Sequence, residues 1–336
     1  MPSGPFISYA QNAEDVVLHR ALGHIVNGRY LDVGAFDPER DSVTLQLYAR
    51  GWRGLNLDPV PAYTAAMASG RPEDVNLQVA AGDQPGSLLF HIVRDTGLST
   101  LRTDIAEQHR TQGYQVDELS VQVLTLDALI DEHFPDQELH VLKVDVEGAE
   151  AQVLAGIDLV RHRPWVLLVE ATLPNSATPS HGDWEPALLA RGYLFTMFDG
   201  LSRWYVAREH AAALGPALGY PACVLDDYVQ VENVRTGQRA QDAEQALEQC
   251  RAELEVLAAA ARDADHQRTV LQAELEEARW QSGLLEQERT WLQGLLAEKE
   301  QALEQAREQA LLPVALARAR RRATGALQRI ADARHR

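Results

Sequence analysis

Arg29-Tyr30-Leu31-Asp32-Val33-Gly34-Ala35-Phe36-Asp37 is the stretch that decides how this chain is read. A short apolar run (Tyr30, Leu31, Val33) ends in an acid and a glycine, and a helix-like segment follows through Tyr48. The pattern predicts a strand entering a turn where a ligand approaches the backbone, because glycine has no Cβ in the way. Further on, Gly54-Leu55-Asn56-Leu57-Asp58-Pro59 again closes an apolar run with an acid. In nucleotide-binding α/β domains an acid at the tip of the second parallel strand holds a ribose diol.

Working outward, residues 42–50 and 62–69 read as helices, and 75–80 as a third strand that breaks at Gly82-Asp83. That is βαβαβ, one half of a doubly wound sheet. Residues 87–93 and 119–123 alternate like half-buried strands, with Gly97-Leu98-Ser99-Thr100 as a loop between them. Thr125 is placed to cap a helix ending near Phe134. The apolar run 139–144 is continuous, as in a parallel strand covered on both faces, and ends in Asp145, Glu147 and Glu150 around Gly148. A fifth strand over 165–170 ends in Glu170. Runs at 193–198 and 203–207 flank an Asp199-Gly200 turn, which predicts a hairpin whose last strand is antiparallel to the others. The expected fold is α/β: a class I methyltransferase (Rossmann-like), mostly parallel seven-stranded sheet with an antiparallel terminal hairpin, occupying residues 1–230.

Beyond about Gln238 the composition shifts to Ala, Glu, Gln, Arg and Leu. With position a at Leu247 the a series runs Leu254, Ala261, Arg268, Leu275, Ser282, Arg289, Leu296, Leu303, Ala310. The d series from Cys250 runs Leu257, Ala264, Leu271, Ala278, Leu285, Leu292, Lys299, Ala306. This predicts a coiled coil over 231–312, which if continuous from Ala240 to Leu311 would reach roughly 100 Å at 1.5 Å per residue. Arg268, Ser282 and Arg289 weaken its middle, and Pro313 breaks it. A basic helical tail over 313–336 carries Arg318, Arg320, Arg321, Arg322, Arg329, Arg334 and Arg336. The coil implies a homodimer or a glycosyltransferase partner, with a helix folded back on the domain as the alternative. The Arg-rich end suits contact with anionic lipid.

The 336 residues are 46% hydrophobic, enough for a real core, and the formal charge of −18 argues against nucleic acid as substrate. Cys223 and Cys250 have no metal-ligand spacing. With no secretory leader pattern and no run of transmembrane length, a cytoplasmic location is expected.

The glycine pattern separates candidate cofactors. A dinucleotide fold uses Gly-x-Gly-x-x-Gly to bring backbone to a pyrophosphate. Asp32 to Asp37 offers one glycine and two acids, which repel a pyrophosphate and suit the cationic S-adenosylmethionine. A turn glycine with a capping acid is the bland alternative. The chain closely resembles the FkbM family of methyltransferases over roughly residues 6–230. The resemblance rests on Ser8-Tyr9-Ala10-Gln11-Asn12-Ala13-Glu14-Asp15, Leu31-Asp32-Val33-Gly34-Ala35, Gly97-Leu98-Ser99-Thr100, Leu142-Lys143-Val144-Asp145-Val146-Glu147-Gly148-Ala149-Glu150, Val169-Glu170-Ala171-Thr172 and Phe198-Asp199-Gly200-Leu201-Ser202-Arg203. Where the family usually has glycine in the first motif, this chain has Ala13. The resemblance implies S-adenosylmethionine-dependent O-methylation of a sugar hydroxyl in a glycan or of a secondary-metabolite hydroxyl.

It further implies that Asp32 and Gly34 line the methionine part of the cofactor, that Asp58 holds the ribose and that Asp83 meets the adenine amine. Gln11 and Glu14 would close over the cofactor, although with Asp15 they also fit helix capping. At the methyl, Asp145 is expected as cofactor-side or base carboxylate, Glu147 as a substrate-orienting group and Glu170 as a further base. A strand-end cap or an ion pair with Lys143 is the alternative for the first two. His181, in the loop after the fifth strand, is a lesser candidate base. Paired acids could instead hold Mg²⁺ and activate the hydroxyl, but no further ligand cluster is evident in the sequence, so metal is the lesser option and no metal ligand is named. A nicotinamide-dependent oxidoreductase, and an inactive scaffold whose coil recruits partners, are the rival readings.

Overall fold

The structure, a computed structural model, describes residues 4–94, 96–282, 296–305 and 312–334. It divides into two compact units, Met1–Val231 and Glu232–Arg336. In the first, the elements are β1 (Phe6–Ser8), α1 (Glu14–Leu22), β2 (Arg29–Val33), α2 (Leu45–Ala49), β3 (Arg53–Leu57), α3 (Pro61–Gly70), β4 (Val75–Leu77) and β5 (Ala80–Ala81). Then come β6 (Gly86–Val93), α4 (Thr103–Thr111), β7 (Val116–Leu124), α5 (Leu126–His133), β8 (Val141–Val144), α6 (Glu150–Ala155) and β9 (Val166–Glu170). The unit finishes with α7 (Glu185–Ala190), β10 (Tyr193–Phe198), β11 (Ser202–Ala207), α8 (Ala211–Leu218) and β12 (Tyr228–Gln230).

Seven strands form one sheet in the order β10-β11-β9-β8-β2-β3-β4. It is mixed. Neighbours from β9 to β4 are parallel, whereas β11 is antiparallel to both β9 and β10. The reversal follows from the Asp199-Gly200 turn, where Asp199 accepts from the N–H groups of Leu201 and Ser202, and Gly200 takes φ +105°. Alternate residues of the central strands feed two cores. Leu31, Val33, Leu55, Leu142 and Leu167 face one side, and Tyr30, Val141, Val166 and Trp204 the other. Helices cover both faces, so the central strands need apolar residues on each.

The expected third strand divides. Val75–Leu77 pairs with β3 at the sheet edge, but Ala80–Ala81 pairs with β7 in a separate three-stranded sheet, β5-β7-β6. The alternation of Val75, Leu77 and Val79 runs past Leu77 without a break, so the departure there leaves no mark in the sequence. Helix α4 lies between β6 and β7, where a loop alone was expected. The Thr125 cap is present, its hydroxyl accepting from the N–H of Ala128 at 3.3 Å. β1 and β12 pair in parallel.

In the second unit, helix α9 (Val231–Ser282) is followed by helical residues 296–305 and by helix Leu312–Arg334. The helical region is not one continuous rod. Lys299 reaches Glu274 at 3.1 Å and Arg322 reaches Glu253 at 3.3 Å, so the chain folds back antiparallel on itself. In one straight helix Lys299 and Glu274 would stand about 37 Å apart. Seam residues Ala243 and Cys250 are buried, as are Ala319 and Ala326 of the last helix. Pro313 stands in the first turn of that helix, where its missing N–H is no loss. Leu285, Arg289, Leu292, Ala306, Ala310 and Arg336 lie outside the described residues. Among the described residues no helix is long and apolar enough to cross a membrane.

Gly54 makes β3 fit β2. It stands opposite Tyr30, and a Cβ there would sit 2.0 Å from the ring, whose buried hydroxyl donates to Asp74. Gly54→Ala therefore forces the ring and that bond to move. We expect a loss of about 1–3 kcal/mol in urea denaturation; an unchanged midpoint would refute this account of the β2–β3 contact.

A candidate active site at the carboxyl edge of the sheet

Because β2, β3, β8 and β9 are parallel, their carboxyl ends share one edge, where ligands bind in open α/β sheets. A cavity of about 210 Å³ opens there. Its lining combines apolar and aromatic side chains, among them Phe36, Val60, Tyr63, Phe90 and Leu101, with the charged groups of Asp32, Lys143, Asp145 and Glu147. The Phe36 and Tyr63 rings meet edge to face at 4.7 Å.

Lys143 ties the charged groups together. It pairs in register with Asp32, and its Nζ lies 2.7 Å from the Gly34 carbonyl, 3.2 Å from Asp32 and 3.4 Å from Asp145. Burial alone would lower its pKa; the Asp32 and Asp145 carboxylates outweigh that and hold it well above the ordinary lysine value. The other Asp32 oxygen accepts from Thr44 at 2.7 Å, and Arg71 in turn donates to Thr44. Gly34 has φ +80°, and a Cβ there would meet the Asp145 carbonyl oxygen at 1.8 Å. The glycine is thus required by the close approach of two loops rather than by the ligand.

Asp58 closes β3. Its carboxylate accepts from the N–H groups of Phe36 at 3.0 Å and Val60 at 2.8 Å, and burial pushes its pKa up to about 6. After β8 the chain turns through two left-handed residues, Glu147 (φ +54°) and Gly148 (φ +98°). A non-glycine residue there costs of order 1–3 kcal/mol. Glu150 offsets this by accepting from the N–H groups of Val146 and Gly148, while the Thr100 hydroxyl donates to the Glu147 carbonyl at 2.8 Å. One oxygen each of Asp145, Glu147 and Glu170 lies within 4.8 Å of the others. Burial first, then the neighbouring carboxylates, raises Glu147 and Glu170 well above the usual carboxylate range.

Of the residues singled out in the sequence, Gln11, Asp32, Gly34, Asp58, Asp145 and Glu147 line the cavity. Glu170 joins the last two from β9 without lining it. Glu14 does not line it either: its carboxylate accepts from the Asn12 N–H at 2.8 Å at the start of α1. Asp15 accepts likewise from the Tyr9 N–H and the Ser8 hydroxyl, so both acids hold the lead-in to α1 and neither caps the helix's own first N–H groups. Asp83 is exposed and off the cavity, because the chain has already left the main sheet at Leu77. His181 also lies outside it, 3.8 Å from Glu185. Thr44, Glu150 and the aromatic wall were not anticipated; of these, only Glu150 carried a signal, as the last acid of its motif.

Ala13 adopts φ +58°, ψ +33°, a left-handed position that glycine occupies without strain. Asn12 beside it donates to the Asp199 carbonyl at 2.9 Å, joining the first and last of the quoted motifs. Residues 32–195 match the family model described as the methyltransferase FkbM domain. The matched stretch, just under half of the chain, is similar to the methyltransferase FkbM domain. A solved structure, a TehB-like SAM-dependent methyltransferase from Corynebacterium glutamicum ATCC 13032 Kitasato, is 11% identical with a TM-score of 0.33; the match covers 58% of this chain and 87% of that one. No curated protein matches. The FkbM domain thus holds the whole acidic edge, from Asp32 to Glu170.

Glu14 offers a test of its buried place in the lead-in to α1. Burial, and then the Asp199 carboxylate, raises its pKa from 4.5 to about 8. Between those values the native protein holds a proton that the unfolded chain has lost, so stability falls as pH rises. Glu14→Gln should remove about 2–4 kcal/mol of that fall between pH 5 and 8.5. Urea melts with equal pH slopes for variant and parent would overturn this.

Proposed function

We propose that the FkbM domain methylates a hydroxyl group with S-adenosylmethionine, the acceptor being a sugar of a cell-surface glycan or a secondary-metabolite alcohol. The observation that carries this reading is the mixed lining of the cavity: aromatic and apolar side chains to cover adenine, and acids to suit a cationic group. Each Asp58 carboxylate oxygen accepts one N–H, from Phe36 and from Val60, which leaves lone pairs for two ribose hydroxyls. Asp32 and Asp145 supply negative charge, Lys143 offsetting part of it. The cofactor would supply an electrophilic methyl group there.

The acceptor hydroxyl must shed its proton as its oxygen is methylated; Asp145 and Glu147, which line the cavity, are the proposed acceptors, with Glu170 beside them. Their raised proton affinity fixes the sign of the pH dependence. A base must be ionised to act, so the rate should rise with pH through the raised values of Glu147 and Glu170. Glu147→Gln removes one repelling charge and should move the rise to lower pH. A flat or falling profile from pH 6 to 9 would exclude the trio as the base.

Cofactor identity is tested by thermal shift. S-adenosylhomocysteine at 100 times its dissociation constant adds about 2.7 kcal/mol, or roughly 5–10 °C for a domain of this size. NAD at equal concentration should add nothing. Asp58→Asn should weaken binding at least tenfold, and a variant that still binds at full strength would remove Asp58 from the site.

A further inference from the structure

In the β8–β9 register, Val144 stands opposite Val169. Asp145 and Glu170, each the next residue, therefore emerge side by side at the sheet edge. The left-handed turn brings Glu147 back over them, and the three carboxylates converge within 4.8 Å. One ammonium group, Lys143, lies 3.4 Å from Asp145 and spends its other contacts on Asp32 and the Gly34 carbonyl.

Glu147 and Glu170 are only 9% and 6% exposed, yet the Oε2 atom of each accepts no hydrogen bond. Buried carboxylate oxygens without a partner are costly unless positive charge arrives. Nearby donors are committed elsewhere: the N–H groups of Val146 and Gly148 to Glu150, the Thr100 hydroxyl to a carbonyl. Oxygens bound to a hard divalent cation lie about 2.0–2.6 Å from it, so ligands sharing one ion stand at most about 4–5 Å apart. The trio already meets that spacing, and an all-oxygen donor set selects magnesium or manganese over softer metals.

We propose that Asp145, Glu147 and Glu170 bind one hard divalent cation, magnesium or manganese, whose remaining positions face the cavity and take the acceptor's oxygens. Asp145 and Glu147 line that cavity, and the Asp145 side chain is 37% exposed, so the open side of the ion is the substrate side. An acceptor with two adjacent oxygens, such as a sugar diol, chelates an ion held this way. Only the acceptor's role rests on the methyltransferase reading; binding of the cation does not.

The test is titration of the full-length chain with Mn²⁺ at pH 7.5, without cofactor, following free Mn²⁺ by electron paramagnetic resonance. One Mn²⁺ per chain, displaced by Mg²⁺ and accompanied by proton release, is the expected result. Asp145→Asn and Glu170→Gln should each weaken binding at least tenfold, while Asp131→Asn, on a surface pair with Arg161, leaves it unchanged. Circular dichroism checks that each variant is folded. Absence of saturable binding in the parent, or full-strength binding in both site variants, overturns the proposal. S-adenosylhomocysteine binding is measured in parallel by calorimetry. Nucleoside bound without Mn²⁺ discards the cation alone; Mn²⁺ bound without nucleoside keeps the ion site and discards the cofactor reading.

Discussion

A single buried ammonium holds the working edge of this protein in shape. Lys143 bridges the turn after β2, through Asp32 and the Gly34 carbonyl, to the turn after β8, through Asp145. Removing one partner of such a buried arrangement costs roughly 3–5 kcal/mol, since the others are left uncompensated away from water. The contact also fixes how closely the two loops approach, which is why residue 34 has no room for a side chain. The cavity between these loops inherits its dimensions from that contact.

The loop after β8 shows the opposite economy. Its residues accept a costly backbone conformation and mutual repulsion among acids, and neither helps folding. Glu150 and Thr100 hold the turn, so the strain is confined to a few residues at the cavity mouth. Such a concentration of unfavourable terms is intelligible when it prepares a surface for proton transfer or for a cation, which is where both functional readings converge.

Several residues were legible because their local pattern carries the reason. Asp32, Asp58, Asp145 and Glu170 each end an apolar run, and parallel pairing brings strand ends to one edge. Asp83 misled because it ends a run of the same kind; that run leaves the main sheet halfway, and only the pairing partner of Ala80 reveals it. Glu14 looks identical to a ligand-closing acid in sequence, yet the Asn12 N–H claims its carboxylate. In the helical region a heptad seam has no way of stating whether its partner is another chain or the same one.

What the sequence determined by itself was the succession of the main-sheet strands along the chain, the reversed hairpin at Asp199-Gly200 and the acids that end the strands. These are local properties, set by periodicity of two or 3.6 and by glycine's freedom in turns. Tertiary structure alone decided that Glu170 stands beside Asp145, that Thr100 anchors Glu147, that Phe36 and Tyr63 form a wall and that the helices fold back. Each of those depends on residues far apart in the chain meeting across a sheet edge or a helix pair, and no spacing along the sequence encodes that distance.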